Sequence, residues 1–181
     1  MRIIKNSGKF DAASGRNNNI ILNESMKKII RLIVAVSLPL AVGSIAGLFT
    51  SSSVKGWFIT LNKPSFNPPG WLFAPVWTIL YILMGIAFYI IWNKDVDASL
   101  KRKAMLFYFA QLVLNFCWSF IFFYAKQPGW AVVDIVLLWI LIIGTIYWFS
   151  KISKPAAWLL VPYILWVSFA TVLNFAIWIL Y

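Results

Sequence analysis

Five long apolar segments decide what this chain can fold into. They cover approximately residues 29–52, 70–92, 104–124, 130–149 and 156–179. A helix rises 1.5 Å per residue, so each segment is long enough to cross a hydrocarbon core of about 30 Å. The segments do not alternate apolar and polar residues as the strands of a membrane barrel do. Since lipid offers no partners to backbone amides, the sequence predicts an all-α integral membrane protein, a bundle of five transmembrane helices.

The first segment also fits a second interpretation. Basic Lys27, Lys28 and Arg31 precede an apolar run that reaches the small residues 43–47, which is the pattern of a signal peptide. The apolar residues continue to Phe49, and this continuation favours a spanning helix.

Residues 1–25 differ in composition from the rest of the chain. They are polar, include a run of three asparagines and show no apolar periodicity, so we expect a disordered extension. Met26 followed by two lysines resembles a natural protein start, which suggests that the extension comes from an upstream start codon or an expression vector. The membrane domain is therefore expected to cover residues 26–181.

The composition excludes several classes of protein. Hydrophobic residues make up 62% of the chain and charged residues only 12%, too few to cover a water-facing surface. The 16 Lys and Arg residues are separated by apolar segments, which argues against nucleic acid as a partner. The chain has no His and one cysteine, Cys117, which excludes an internal disulfide, zinc sites and Ser-His-Asp triads. We expect no metal site and no cofactor.

The loop charges predict an orientation. Three basic residues lie on the side of the first and third loops, Lys55, Lys63 and Lys126. Nine lie on the other side: Lys27, Lys28, Arg31, Lys94, Lys101, Arg102, Lys103, Lys151 and Lys154. Because basic loops stay inside, this bias predicts a cytoplasmic N-terminus and an external C-terminus at Tyr181.

The first loop, about residues 53–69, contains Pro64, Pro68 and Pro69 and is therefore stiff and non-helical. A long ordered loop between membrane helices serves either as a lid over a site or as an anchored connector. Both interpretations stay open from the sequence.

Aromatic and polar residues recur at helical spacing in four segments. The stripes comprise Trp77 and Tyr81; Gln111, Asn115 and Trp118; Trp130 and Asp134; and Tyr163, Trp166, Ala170 and Asn174. Such stripes suit either a mostly apolar pocket or hydrogen bonding between helices. Asp134 is the one acid well inside a segment, which makes it a functional candidate. Five of the 11 tryptophans end segments, where lipid anchoring is the default: Trp71, Trp92, Trp130, Trp158 and Trp178.

The ordered motifs give a family resemblance. They include Gly43 and Gly47, Trp57, Lys63-Pro64 with Pro68-Pro69-x-Trp71, and Pro75-Val76-Trp77-Thr78-x-x-Tyr81. Further along the chain come Gln111-x-x-x-Asn115-x-x-Trp118, Trp130 with Asp134, and Pro162-Tyr163-x-x-Trp166-x-x-Phe169-Ala170-x-x-Leu173-Asn174. Over about residues 33–180 the chain resembles the translocator protein family, also called tryptophan-rich sensory proteins or peripheral benzodiazepine receptors.

The resemblance implies a membrane receptor, often dimeric, whose ligand pocket is closed by the first loop. The implied ligands are porphyrins such as protoporphyrin IX and other small apolar molecules. The expected ligand-binding residues are Trp57, Trp77, Tyr81, Asn115, Trp118, Trp130, Asp134, Trp166 and Ala170. We expect Lys55 or Lys63 to meet the porphyrin carboxylates, and, without His, free-base porphyrin to be preferred to haem.

Two alternatives remain beside a receptor or sensor. The first alternative is an enzyme that degrades porphyrins with light and oxygen. Some bacterial members of the family degrade protoporphyrin in light, and Trp77 and Trp166 match the tryptophans that take part. The second alternative is a transporter of porphyrins or other amphiphiles.

The sequence departs from the family at two places. Phe175 stands where the animal sterol motif needs Tyr, so cholesterol binding is not expected. The third segment also lacks a clear pair of small residues, which weakens a dimer like that of bacterial relatives.

Overall fold

The computed structural model describes the backbone of residues 7–181 and the side chains of residues 22–181. Within that range the chain forms α1 (Ser7–Lys55), α2 (Trp57–Thr60), α3 (Phe73–Asn93), α4 (Ala98–Ser119), α5 (Pro128–Ile152), α6 (Lys154–Trp158) and α7 (Val161–Leu180). A 3₁₀ turn (Gly70–Leu72) precedes α3, and a π-helical turn (Phe120–Tyr124) continues α4. No strand occurs in this part of the chain.

Among the described residues, five helical stretches are long and apolar enough to cross a membrane. They are Leu22–Lys55, Gly70–Asn93, Ala98–Tyr124, Pro128–Ile152 and Lys154–Leu180, and each contains one of the apolar segments found in the sequence. The predicted fold class, an all-α membrane protein with five spanning helices, is confirmed.

The chain divides into two units, residues 1–34 and 35–181. In the first unit every residue from Leu22 to Val34 is exposed, and Lys27 pairs with Glu24 at 2.9 Å. Residues 1–6 of the expected extension lie outside the described residues, and α1 begins at Ser7. The expectation of a disordered, added extension over residues 1–25 stays a prediction.

Within residues 35–181, α5 packs between α4 and α7, and α3 packs against α6 and α7. The α1 backbone approaches α3 so closely at Gly85 that a Cβ there would lie 2.8 Å from the Ala35 carbonyl oxygen. Glycine therefore lets these two helices meet along their backbones. The largest fully buried core side chains include Met84, Ile91, Tyr108, Ile142, Phe149 and Tyr163.

Many large apolar side chains cover the outer faces of the helices. Val113, Leu165 and Ile179 are examples that are each about two-thirds exposed. In water such a surface would aggregate, whereas in a bilayer these side chains contact acyl chains. The interior therefore has to be specified by close packing and hydrogen bonds, since burial from lipid brings little hydrophobic gain.

Candidate ligand-binding site

A cavity of about 720 Å³ opens between the C-terminal part of α1, the first loop, α3 and the end of α4. This volume lies in the range that holds drug-sized ligands. Its lining is mostly apolar and includes Gly43, Gly47, Thr50, Lys55, Phe58, Lys63, Phe73, Trp77, Tyr81, Trp118, Ser119 and Phe123. Three spanning helices and one loop thus enclose a single hollow.

One wall of the cavity is the small-residue face of α1. A Cβ on Gly47 would meet no atom within 4 Å, whereas a Cβ on Gly43 would overlap the ring of Tyr81. Gly43 therefore admits the Tyr81 ring, and Gly47 leaves open space. We did not predict this wall from the sequence. The signal for it is that Gly43, Gly47, Thr50 and Val54 recur at the spacing of one helical face.

Three indole rings from three helices meet beside the cavity. Trp77 stacks on Tyr81 with ring centroids 5.5 Å apart, and Trp118 stacks on Phe122 at 5.4 Å. A narrow adjoining cavity of about 30 Å³ is lined by Trp77, Trp118, Trp166 and Ala170 among others. The structure therefore brings together these four members of the expected ligand-binding set.

The two indoles deeper in this group differ in their hydrogen bonds. Trp118 donates its Nε1–H to Asn174 Oδ1 at 2.9 Å. The Trp166 Nε1–H is buried and has no partner among the described residues. A buried donor of this kind stabilises any acceptor placed beside it, so Trp166 can donate to a bound molecule.

A buried polar chain connects the cavity wall to the centre of the bundle. Tyr81 donates its hydroxyl to Asn115 Oδ1 at 2.7 Å, and Asn115 Nδ2 donates to the Tyr163 hydroxyl at 3.1 Å. Tyr163 in turn donates to Gln111 Oε1 at 2.9 Å. Asn115 therefore bonds helix to helix and acts on the cavity through Tyr81, while it does not itself line the hollow.

The two lysines at the cavity differ in their surroundings. Lys63 donates its ammonium to the carbonyl oxygens of Phe58 (2.7 Å), Ile59 (3.1 Å) and Leu61 (3.1 Å), and it lies 4.9 Å from the centroid of the Phe58 ring. These bonds use all three donors of an ammonium group and cap the C-terminal end of α2. Lys55 is exposed and has no bonded partner among the described residues.

Besides Asn115, three residues expected at the site line neither cavity. Trp57 packs edge-on against Phe122 and Tyr181, each at 5.9 Å, and Trp130 is 69% exposed. Asp134 is only 7% exposed, and its Oδ2 has no hydrogen-bond partner among the described residues. In the same part of the chain, no group of three or more His, Cys, Asp or Glu side chains is placed to hold a metal ion.

Comparisons with known proteins agree on one family. The sequence model of the TspO/MBR family matches residues 35–179. The chain is 46% identical over 151 residues to the tryptophan-rich protein TspO of Chlorobaculum tepidum, covering 83% of this chain and 96% of that protein. It is 43% identical over 152 residues to the protein of the same name from Archaeoglobus fulgidus, covering 84% and 97%. It is 39% identical over 146 residues to the human translocator protein, covering 80% and 85%.

Proposed function

Since this chain belongs to the TspO/MBR family, we propose that it is a multi-pass membrane receptor or sensor that binds porphyrins in the cavity between α1, α3 and α4. The cavity itself is the observation that supports this proposal most directly. Its indoles and glycines provide flat apolar walls, which suit a large planar ring.

The charge at the cavity supports a ligand with acidic groups. A porphyrin such as protoporphyrin IX has two carboxylates at one edge of an apolar ring. The lining includes only two cations among its residues, Lys55 and Lys63, and the donors of Lys63 already bind backbone carbonyls. We therefore assign the carboxylate contact to Lys55, which is exposed at the edge of the cavity.

A binding titration of the purified protein with protoporphyrin IX tests the proposal. We expect Gly47→Leu to weaken binding by about tenfold or more, because the new side chain fills the hollow without clashing at its Cβ. Leu48→Phe is the matched control, because Leu48 is 77% exposed and adds its bulk outside the cavity. Equal affinity of the wild type and Gly47→Leu would show that the porphyrin binds elsewhere, and a wild type without saturable binding would contradict the proposal.

Two other functions use the same cavity. Trp77 lines this cavity and Trp166 lines the narrow cavity beside it, so a bound photosensitiser would lie close to both indoles, which favours light-dependent porphyrin breakdown as the second candidate. In that case dioxygen would be the oxidant. Transport requires a second state with access from the other side, and flux of porphyrin into liposomes would reveal it.

The topology and assembly complete the proposal. The excess of basic residues on one side supports a cytoplasmic N-terminus and an external Tyr181. Cysteines introduced as Lys94→Cys or Lys126→Cys in a Cys117→Ala background should be labelled by an impermeant reagent only at position 126 in intact cells. We also propose a homodimer, which mass measurement in lipid nanodiscs would test.

A further inference from the structure

The end of the bundle opposite the cavity concentrates positive charge. The ends of α3 and α5 and the starts of α4 and α6 lie there, with six basic residues against the two acids Asp95 and Asp97, a net charge of +4. The basic residues are Lys94, Lys101, Arg102, Lys103, Lys151 and Lys154. Among the described residues none of them pairs with a carboxylate.

Two of these lysines lie against an aromatic pair. The ammonium of Lys103 lies 5.2 Å from the centroid of the Trp148 ring, and that of Lys151 lies 5.1 Å from the Tyr147 ring. The Tyr147 and Trp148 rings contact each other edge-on at 5.1 Å. Ring contacts of this kind orient a lysine while leaving its N–H donors available. The four side chains therefore form a continuous surface with a cation at each end, here called the Lys103–Lys151 surface.

This surface lies at the ends of the apolar spans, which is where lipid headgroups would lie. Lys103 directly precedes the buried Ala104 of α4, and Lys151 follows the buried Phe149 of α5, so both lysines adjoin the apolar spans. Trp and Tyr rings at such a boundary lie among the headgroups, with their polar atoms toward water. A phosphate in the same layer would lie close to ammonium groups that no carboxylate of the described residues pairs with.

We propose that the Lys103–Lys151 surface is a binding site for an anionic phospholipid headgroup. Charge complementarity selects this occupant, because the surface is cationic and no carboxylate of the described residues neutralises it. The headgroup phosphate would accept a hydrogen bond from one ammonium group and be attracted by the charge of the other, and the glycerol backbone would lie over the Tyr147 and Trp148 rings. The proposal is independent of porphyrin binding, since the site lies at the other end of the bundle.

Native mass spectrometry of the full chain with added phosphatidylglycerol or phosphatidylcholine tests this site. We expect the wild type to retain phosphatidylglycerol preferentially and Lys103→Gln/Lys151→Gln to weaken that binding by about tenfold. Lys94→Gln/Lys154→Gln is the matched control, because it removes the same charge from the same end without touching the aromatic pair. Lys103→Arg/Lys151→Arg should retain binding, since it keeps both charges and both ring contacts.

Three results would overturn the proposal. Equal losses in the two glutamine pairs would show that a diffuse field, and not this surface, attracts the lipid. A wild type without preference for phosphatidylglycerol would show that the headgroup charge is not recognised. Loss of binding in the arginine pair equal to that in the glutamine pair would show that positive charge on the rings is not the recognising feature.

Discussion

At the scale of single residues, Lys55 and Lys63 show that two side chains of the same type can have different roles when their partners differ. Both are cations beside the same cavity, and residue type and spacing do not distinguish their roles. The structure distinguishes them by their partners: Lys63 caps α2, and Lys55 has its donors available. The difference depends on how the chain turns after Thr60, which residue type alone does not encode.

This difference gives a prediction for ligand binding. Lys55→Gln should weaken the binding of protoporphyrin IX by about two- to fivefold, as expected for an exposed ion pair. The binding of its dimethyl ester, which has no carboxylates, should be unaffected. Lys63→Gln should weaken both forms to the same extent, because it loosens α2 and the Phe58 wall. Parallel titrations of acid and ester measure both effects. A loss in Lys63→Gln that is confined to the acid would assign the carboxylate contact to Lys63 instead.

A second prediction at this scale concerns the α1 glycines. Gly43→Ala should lower the free energy of unfolding by about 1–3 kcal/mol, because the added methyl group overlaps the Tyr81 ring, which is held by its bond to Asn115. Gly47→Ala is the control and should be neutral or stabilise by up to about 1 kcal/mol, since nothing lies within 4 Å of its Cβ and alanine has the higher helix propensity. Denaturant unfolding in detergent measures both. Equal destabilisation would mean that the Tyr81 ring contact is not the cause, because the higher helix propensity of alanine stabilises both variants alike.

At the scale of helices, the spanning elements could be predicted because apolar length alone specifies them. The π-helical turn at Phe120–Tyr124 could not, because the apolar run through it is uninterrupted in sequence. Its wider register places Phe122 in a buried cluster with Trp118, Trp57 and Phe58. That choice depends on tertiary neighbours, which one helix does not reveal.

Contacts between helices also determine what the buried amide side chains do. Both interpretations were open for Gln111, Asn115 and Asn174, and the structure gives each of them a hydrogen bond to another helix or its ends. The tyrosine hydroxyls are the partners that the sequence did not indicate. Spacing identifies which residues share a face but not which helix lies opposite that face.

Removing the central amide should therefore destabilise the bundle. We expect Asn115→Leu to lower the free energy of unfolding by about 1–2 kcal/mol, because it leaves the buried hydroxyls of Tyr81 and Tyr163 with fewer partners. A double-mutant cycle with Tyr81→Phe measures the bond itself. If the two losses simply add, Tyr81 and Asn115 are not energetically coupled and the polar chain does not act as a unit.

At the scale of the whole molecule, the family resemblance implied a pocket with indoles from different helices, but not which helices enclose the hollow. Trp77, Trp118 and Trp166 do meet, whereas the α5 residues Trp130 and Asp134 lie outside both cavities. The face of α1 that contains Gly43 and Gly47 lines the cavity instead. A stripe on each helix is a property of the sequence, but the order of helices around the bundle follows from packing and loop geometry.

The same arrangement separates a photochemical enzyme from a receptor. Under light and air with bound protoporphyrin IX, an enzyme should form product at a rate that falls several-fold in Trp77→Phe and Trp166→Phe while dark binding persists. Trp158→Phe is the control, because this indole is 71% exposed at the opposite end of the bundle. Phenylalanine keeps the apolar wall but is harder to oxidise than indole, so a loss of rate without a loss of affinity points to the indoles themselves. Equal product from free tryptophan in detergent would show that the cavity only holds the sensitiser, and the receptor function would then account for the whole site.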